Sequence, residues 1–363
     1  MDKFQYAHEH ADEIVWMSQN TNHIPLSPKI EEAILEAIRS REYNLYPYSK
    51  GVDGLPEAIL KDLGLGDGWD VIVTNGGIEA LYILNRALLR EGDEVIATDP
   101  SFMPIHHQIR LSGAKPVELP IYKEPWKMTP EAIREAITPR TKMILLIDPI
   151  NPVGTAYTRD EVKEICDIAR EHDLYIIDDI TYRDFSPGHT LTSEFYPEKS
   201  IVVYSFSKTS AFAGMRIGAL VAPKELMDIM RPYNTNVLSV NILAQRGALA
   251  SLETKGEWLE RMLKTAMRSQ EIVKDAVDMV EGAFIPVFPS RTNMLIIDIS
   301  ALGIDGDELE HRMLYEDGVF IRGGSYLSPR FGKNFVRVSF TVPNEGAERF
   351  RESFVRQVEA LKK

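Results

Sequence analysis

The sequence predicts an α/β protein in which a large, doubly wound, mostly parallel sheet is accompanied by a smaller α+β domain. Seven short runs rich in valine, isoleucine and leucine alternate with helical patterns over much of the chain. Continuous apolar runs are typical of strands that are buried on both faces, as in parallel sheets. Their alternation with helices is the pattern of a doubly wound fold, and a change of pattern after residue 240 indicates the second domain.

The strands of the large domain are predicted from the apolar runs in chain order. The runs are VIVT at 71, EVIATD at 94, PVEL at 116, MILLID at 143, LYIID at 174, IVVYSF at 201 and IGALVA at 217. Helices are predicted between them, for example over residues 77–90 and 159–172, where apolar side chains recur at helical spacing. Residues 40–240 are therefore assigned to the large domain.

The smaller domain is predicted from the pattern that follows. Residues 241–252 and 257–280 are predicted to form longer helices. After them come TNMLIIDIS at 292, GVFIR at 318 and NFVRVSFTV at 334, which alternate more regularly with polar residues. Such alternation is typical of a sheet with one face in water. We assign residues 241–363, together with residues 1–39, to this smaller α+β domain.

Composition excludes several classes of function. The chain of 363 residues has 41 basic and 54 acidic side chains and a net charge of −13. It repels polyanions on average, so we expect no nucleic-acid partner and no membrane partner. The single cysteine, Cys166, excludes an intramolecular disulfide and a cysteine-based zinc cluster, and no metal site is expected. The N-terminal segment is charged where a signal peptide is apolar, which favours a cytoplasmic location.

Four loops that follow apolar runs hold most of the candidate site residues. In a doubly wound sheet, ligands bind beyond the carboxyl ends of the strands. The loops span residues 74–78, 151–154, 178–182 and 205–208. Chemically capable side chains in these loops are therefore expected to face one ligand.

Two of these loops suggest an anion site beside an amine. Gly76 and Gly77 separate a strand from a helix, where backbone N–H groups can approach a phosphate, although a purely structural turn is the commoner explanation. Lys208 lies at a strand end. A lone loop lysine is usually only solvated, but a lysine desolvated near a cation has a lowered pKa and condenses with carbonyls. The side chains that could complete a phosphate cradle are those of Ser205, Ser207 and Arg216.

The other two loops, and the segment after EVIATD, suggest partners for an aromatic, cationic ligand. Asp179 ends a buried strand, where a carboxylate requires a partner such as a protonated pyridine nitrogen, a salt bridge or a helix N-terminus. Tyr182 can reach the same ligand. Asn151 projects an amide from a turn that is equally consistent with an ordinary Asn-Pro turn. Phe102 offers a flat apolar face, or simply packs in the core.

In combination, these motifs resemble those of the class I/II aminotransferases, which are fold-type I enzymes dependent on pyridoxal 5'-phosphate. The resemblance covers nearly the whole chain, and its strongest motif is SFSKTSAFAGMRIG at 205. The other motifs are NPVG at 151, Asp-x-x-Tyr at 179, Gly-Gly at 76, YPYSKGVDGL at 46, DPSF at 99 and FVRVSF at 335. Within the family, FAGMRIG at 212 and PYNTNVLS at 232 resemble the histidinol-phosphate aminotransferase branch.

The resemblance implies a role for each candidate that would bind the cofactor. Lys208 corresponds to the lysine that forms the internal aldimine and later moves the proton, and Asp179 to the carboxylate that pairs with the pyridine nitrogen. Asn151 and Tyr182 correspond to the groups that hydrogen-bond the phenolic oxygen, and Phe102 to the residue that stacks on the ring. The residues that match phosphate-binding positions are Gly76, Gly77, Ile78, Ser205, Ser207 and Arg216.

The resemblance also bears on substrate and assembly. Arg337 matches the arginine that clamps the substrate's α-carboxylate. Tyr46 matches the tyrosine that reaches the phosphate of a neighbouring subunit, which implies a homodimer with shared active sites. Arg322 meets a second acidic group on the substrate or lies at the rim, and the sequence leaves both open. Asp178 competes with Asp179 for the pyridine nitrogen, but the three-residue step to the tyrosine selects Asp179.

The activity that the resemblance implies is ping-pong transamination between an L-amino acid and a 2-oxoacid. The sequence separates this reaction poorly from a lyase or decarboxylase reaction on the same cofactor. A third class, a non-enzymatic regulator that keeps the fold, is disfavoured by the acidic charge balance.

Overall fold

Each apolar run forms a strand in the computed structural model, which describes residues 2–362. The strands, in chain order, are β1 (Val15–Trp16), β2 (Trp69–Thr74), β3 (Glu94–Asp99), β4 (Lys115–Pro120), β5 (Thr141–Ile147), β6 (Tyr175–Asp179), β7 (Ser200–Ser205), β8 (Gly218–Pro223), β9 (Met294–Asp298), β10 (Val319–Phe320), β11 (Arg322–Gly323) and β12 (Phe335–Ser339).

The predicted helices are also present. The α-helices of the described residues are α1 (Lys3–Glu9), α2 (Pro28–Arg39), α3 (Leu55–Leu63), α4 (Gly77–Leu88), α5 (Met103–Leu111), α6 (Pro130–Ala136), α7 (Arg159–Glu171), α8 (Lys224–Met230), α9 (Ile242–Glu253), α10 (Lys255–Asp278), α11 (Gly306–Asp317) and α12 (Asn344–Leu361).

The large sheet has the strand order β2-β8-β7-β6-β5-β3-β4. The strands from β3 to β7 are parallel to one another. β8 is the exception, because the chain reverses direction within residues 206–217 and β8 then pairs antiparallel with both β7 and β2. The α/β class with a mostly parallel sheet is thus confirmed.

The register of β8 brings two candidate loops together. Gly218 pairs with Thr74 of β2 on one side and with Ser205 of β7 on the other. A Cβ atom on Gly218 would lie 2.7 Å from the carbonyl carbon of Gly76 and 2.7 Å from the carbonyl oxygen of Tyr204. Only glycine permits so close an approach of three backbone segments. The turn after β2 and the loop after β7 therefore share one end of the sheet.

Helices cover both faces of the large sheet. α4, α5 and α8 pack against one face in a buried cluster with strand residues such as Ile72 and Val95. α6 and α7 contribute to a second cluster with Ile144 and Ile176. A third cluster joins the rest of the sheet to α3, α9, α10 and α12. Burial on both faces is the physical reason for the continuous apolar runs.

The second sheet, with the order β11-β12-β9, is antiparallel. The expectation that one of its faces meets water is wrong, since every residue of β9 and β12 is buried. Leu295 and Val338 pack in the same cluster as α10 and α12. On the other face, Arg337 and Ser339 contact the N-terminal segment instead of solvent. The polar alternation in β12 therefore marks a buried site.

The N-terminal segment joins this part of the molecule, because β1 pairs in parallel with β10. The division into residues 40–240 and the remainder stays a prediction. Among the helices that the structure describes, none combines the length and apolarity needed to cross a bilayer.

Candidate active site

Most of the candidate residues line one cavity of about 480 Å³ beyond the carboxyl ends of β5, β6 and β7. The candidates on its wall are Gly77, Ile78, Phe102, Asn151, Asp179, Tyr182, Ser205, Ser207, Lys208, Arg216, Arg322 and Arg337. Gly76 is not on this wall, but a Cβ atom at Gly76 would lie 2.5 Å from Nη2 of Arg216. Tyr46 lies outside this cavity.

One end of the cavity has the components of an anion site. The N-terminus of α4 borders it, and Gly76 precedes this helix with a φ of 77°, a left-handed conformation that suits glycine. Arg216 donates hydrogen bonds to two backbone carbonyls, which hold its guanidinium group beside the turn. Helix N-termini and guanidinium groups both stabilise phosphate. The hydroxyl groups at the same cavity wall are those of Ser205 and Ser207.

The Lys208 amine is placed for nucleophilic attack on a ligand in this cavity. Its Nζ donates a hydrogen bond to the backbone carbonyl of Gln19 at 3.3 Å. Burial, followed by the positive charges of Arg337 and Arg216, lowers the pKa of Lys208 to about 7, while Asp179 opposes the shift. A substantial fraction of the amine is therefore neutral near pH 7, and a neutral amine is the form that condenses with carbonyls.

The structure separates the two competing carboxylates. Asp179 lines the cavity, and within the described residues only Thr181 hydrogen-bonds it, through Oδ1 at 3.1 Å from the backbone and 2.6 Å from the hydroxyl. Burial raises the pKa of Asp179, and these hydrogen bonds oppose the shift. Asp178 instead accepts two hydrogen bonds from Thr192, both at 2.9 Å. Asp179 is thus the carboxylate that a cationic ligand in the cavity would meet.

A chain of polar contacts links Arg337 to Tyr182. Arg337 donates to the side-chain oxygen of Asn151 at 3.2 Å and to the carbonyl of Ser18 at 2.7 Å. Asn151 in turn donates to the Tyr182 hydroxyl at 3.2 Å. The Nε atom of Arg337 is buried and has no partner among the described residues. A buried guanidinium donor without a partner is suited to bind an anionic group at this wall of the cavity.

A second guanidinium group, that of Arg322, lies between two aromatic rings. Its central carbon is 5.2 Å from the ring centre of Phe4 and 4.2 Å from that of Tyr326. Its Nη1 atom is buried without a partner among the described residues. Lys3 of α1 forms an ion pair with Glu310 at 2.6 Å, which anchors the helix that carries Phe4. The stacking fixes the guanidinium plane and leaves its edge to donate hydrogen bonds.

Tyr46 is 81% exposed, and it borders a separate surface groove formed with residues 235–243. Within one chain it does not reach the cavity. The predicted contact with a phosphate of a neighbouring subunit is not tested by a single chain and stays a prediction.

Several residues that reasoning from the sequence missed also line the cavity. Ser18 and Gln19 act through their backbone carbonyls, which carry no side-chain signal in the sequence. Asn20 contacts the Tyr182 hydroxyl at 3.3 Å through its side-chain nitrogen, although the two residues lie far apart in the sequence. Phe4 comes from α1, far away in the sequence. Of these residues, only Thr181 could have been predicted from the sequence, because a hydroxyl group two residues after a buried aspartate commonly donates a hydrogen bond to its carboxylate.

Comparison with known proteins places these features in one family. The model described as aminotransferase class I and II matches residues 12–354. An aspartate aminotransferase of Musicola paradisiaca is 31% identical over 314 residues, which cover 81% of this chain and 77% of that protein. An aspartate aminotransferase of Pyrococcus horikoshii is 29% identical, with coverage of 88% and 84%. A solved aspartate aminotransferase from Thermus thermophilus with maleate has a TM-score of 0.85 at 26% identity, covering 98% of this chain and 95% of that one.

We expect acylation of Lys208 in the ligand-free protein to report its pKa of about 7. The neutral amine is the nucleophile, so the acylation rate should increase with pH through that value and then level off. Arg216→Gln should move the midpoint upward, because one positive charge no longer opposes protonation. Mass spectrometry of the Lys208 peptide after brief treatment with an acylating reagent measures the rate. An acylation rate that keeps rising to about pH 10, as for an ordinary lysine, would contradict the lowered pKa of Lys208.

Proposed function

The chain belongs to the class I and II aminotransferases, and from this premise we propose how its own residues carry out the reaction. The protein is a pyridoxal 5'-phosphate-dependent enzyme that transfers an amino group between an amino acid and a 2-oxoacid. These comparisons favour transamination over the lyase or decarboxylase reaction. The observation that carries the residue assignment is that Lys208 and Asp179 line the same cavity.

The residues present fit this cofactor. Its phosphate requires an anion site, its aldehyde requires an amine, and its ring nitrogen requires an acid partner. The N-terminus of α4 and Arg216 offer the anion site, and Lys208 offers the amine. Asp179 offers the acid partner, since its carboxylate lies in the same cavity and accepts hydrogen bonds only from Thr181 among the described residues. The remaining residues that would hold the cofactor are Gly76, Gly77, Ile78, Phe102, Asn151, Tyr182, Ser205 and Ser207.

When bound, the cofactor supplies an electron sink that makes the Cα–H bond of an amino acid acidic. The Asp179 carboxylate would keep the proton on the ring nitrogen by electrostatic attraction. The Lys208 amine, with a pKa of about 7, can accept a proton and return it near neutral pH. Arg337, whose Nε donor has no partner among the described residues, would hold the substrate's carboxylate and so orient the Cα–H bond. We propose that the amino acid and the 2-oxoacid react in turn at this one cavity, in a ping-pong sequence of two half-reactions.

Asp179→Asn should lower kcat/KM for transamination by about 10²–10³-fold, because a neutral amide no longer holds the ring proton and a buried ion pair is lost. Asp178→Asn is the matched control, since this neighbouring carboxylate is bonded to Thr192. Steady-state kinetics of both variants, with unfolding midpoints to exclude misfolding, provide the measurement. The assignment is wrong if Asp178→Asn lowers kcat/KM more than Asp179→Asn does.

We propose further that the preferred amino acids carry an acidic side chain. The charged side chains on the cavity wall are four cations, Lys208, Arg216, Arg322 and Arg337, and one anion, Asp179. After the cofactor phosphate and the α-carboxylate are accommodated, Arg322 is left with a buried, unsatisfied donor. The relatives named aspartate aminotransferase, and the solved relative with maleate, a dicarboxylate, support this proposal.

Arg322→Gln should raise KM for aspartate or glutamate by about 10–100-fold, which is the value of a lost charge-assisted hydrogen bond. KM for a neutral donor such as methionine should change little. Lys333→Gln is the control, because it removes one positive charge from an exposed position outside the cavity wall. Equal effects of Arg322→Gln on acidic and neutral donors would refute the proposal.

A homodimer is proposed from the surface around Tyr46. Four side chains with large apolar parts are strongly exposed in two neighbouring segments, which is typical of an interface. They are Leu45 at 67%, Tyr46 at 81%, Tyr48 at 74% and Val237 at 66% exposure. A second copy that covers this surface would bring Tyr46 to the partner's cofactor phosphate. A cytoplasmic location stays a prediction of the sequence.

Sedimentation equilibrium should give twice the chain mass of 41.1 kDa. Tyr46→Phe should keep this mass but weaken cofactor binding by up to about tenfold, because one hydrogen bond to phosphate is lost. Tyr43→Phe, which removes a hydroxyl from the same exposed surface, should leave the affinity unchanged. A monomer with full cofactor affinity would exclude a shared site.

A further inference from the structure

Asn20 combines three features that are unusual together. It is 3% exposed, it lines the cavity, and its backbone has a φ of 54°, in the left-handed region. Few residues other than glycine adopt this conformation, although asparagine tolerates it best. Strained backbone conformations are concentrated at functional sites, so the Asn20 side chain is expected to have a role in the cavity.

The surroundings of Asn20 fix the orientation of its amide. The Asn20 backbone N–H donates to Ser339 Oγ at 2.9 Å, and Ser339 Oγ lies 2.9 Å from the Asn20 side-chain oxygen. With this orientation the serine proton has an acceptor. The amide nitrogen then faces the Met294 sulfur at 3.0 Å and the Tyr182 hydroxyl at 3.3 Å. The reverse orientation would place the Asn20 side-chain oxygen against the Met294 sulfur, and two acceptors would then face each other with no hydrogen between them.

The orientation of Asn151 is fixed by a different argument. Arg337 has only donors, so the group that it contacts at 3.2 Å must be the Asn151 side-chain oxygen. The Asn151 nitrogen therefore donates to the Tyr182 hydroxyl at 3.2 Å. Two amide N–H groups, from Asn20 and Asn151, thus point at one phenolic oxygen.

A hydroxyl group has two acceptor positions and one proton. Both acceptor positions of the Tyr182 hydroxyl are occupied, so its only remaining capacity is to donate. No residue that the structure describes accepts this proton, and Tyr182 lines the cavity. Burial raises the pKa of Tyr182 to about 12, so the proton is retained at neutral pH.

We propose that Asn20 is a positioning residue that, with Asn151, occupies both acceptor positions of the Tyr182 hydroxyl and fixes its proton as a donor to the cofactor's phenolic oxygen. The proposal rests on the proposed function, because it requires the cofactor at Lys208. A fixed donor stabilises the deprotonated form of the oxygen that receives it. The pH at which the bound cofactor's visible absorbance changes therefore depends on Asn20.

The same contacts link Tyr182 to β12, the strand that carries the arginine proposed to bind the substrate's carboxylate. Arg337 and Ser339 both belong to β12, and each contacts one of the two asparagines. Asn20 and Asn151 are thus parallel bridges from β12 to Tyr182. At this positive φ only glycine would be less strained than asparagine, and glycine would lack the amide that contacts Tyr182.

Asn20→Gly tests the proposal, because glycine accepts the positive φ and removes only the amide. Titration of the visible absorbance of the cofactor-loaded protein should show a midpoint about 0.5–1 pH unit above that of the wild type. Tyr182→Phe should raise the midpoint further. In the Tyr182→Phe background, Asn20→Gly should add no shift, because the residue acts through the hydroxyl.

Asn22→Gly is the matched control. Asn22 is a buried asparagine of the same segment whose amide donates to the Thr209 carbonyl, away from Tyr182. Its replacement should lower the unfolding temperature without moving the midpoint. An unchanged midpoint in Asn20→Gly, or the same shift with and without the Tyr182 hydroxyl, overturns the proposal.

The proposed function is checked in the same samples. Borohydride reduction of the wild type should attach the cofactor to Lys208, as detected by mass spectrometry. A wild type with neither label nor visible band would refute the assignment of Lys208, and the role of Asn20 with it. If the wild type is labelled at Lys208 but Asn20→Gly has the same absorbance midpoint as the wild type, only the positioning role of Asn20 is refuted.

Discussion

The excess of positive charge in one cavity is the constraint on which the rest of the site depends. Four cationic side chains and one carboxylate line the same wall. Burial, followed by repulsion from Arg337 and Arg216, lowers the pKa of Lys208 to about 7. Burial, with repulsion from Arg322, lowers the pKa of Arg337 to about 10. Anionic ligands relieve this repulsion, so the charge excess both prepares the lysine amine for reaction and selects phosphate and carboxylate groups.

The topology of the large sheet makes this concentration of charge possible. The chain reverses after β7 and returns as β8, which inserts Gly218 between the ends of β2 and β7. The reversing segment, residues 206–217, carries both Lys208 and Arg216 to the cavity. A parallel crossover at this point would have carried the second cation away from the first. One antiparallel strand in a mostly parallel sheet thus has a direct chemical consequence.

The large sheet and the residues at its strand ends could be predicted because burial and strand polarity leave direct marks in the sequence. The three-residue step to Tyr182 selects Asp179 over Asp178. Strand alternation explains why the two carboxylates have different surroundings, since neighbouring residues of β6 point to opposite faces. The contributions of Ser18 and Gln19 could not be predicted, because backbone carbonyls have no sequence signature. The polar residues of β12 were misjudged as solvent-facing, since alternation alone does not distinguish water from a buried polar site.

We propose that Lys208 and Asp179 bind opposite ends of one cofactor ring. A crystal structure of the protein with pyridoxal 5'-phosphate, without substrate, tests it most directly. We expect continuous density from Lys208 Nζ to the cofactor and an Asp179 oxygen about 2.7–2.9 Å from the ring nitrogen. A ring nitrogen directed toward solvent or toward another side chain, with Asp179 bonded only to Thr181, would contradict it.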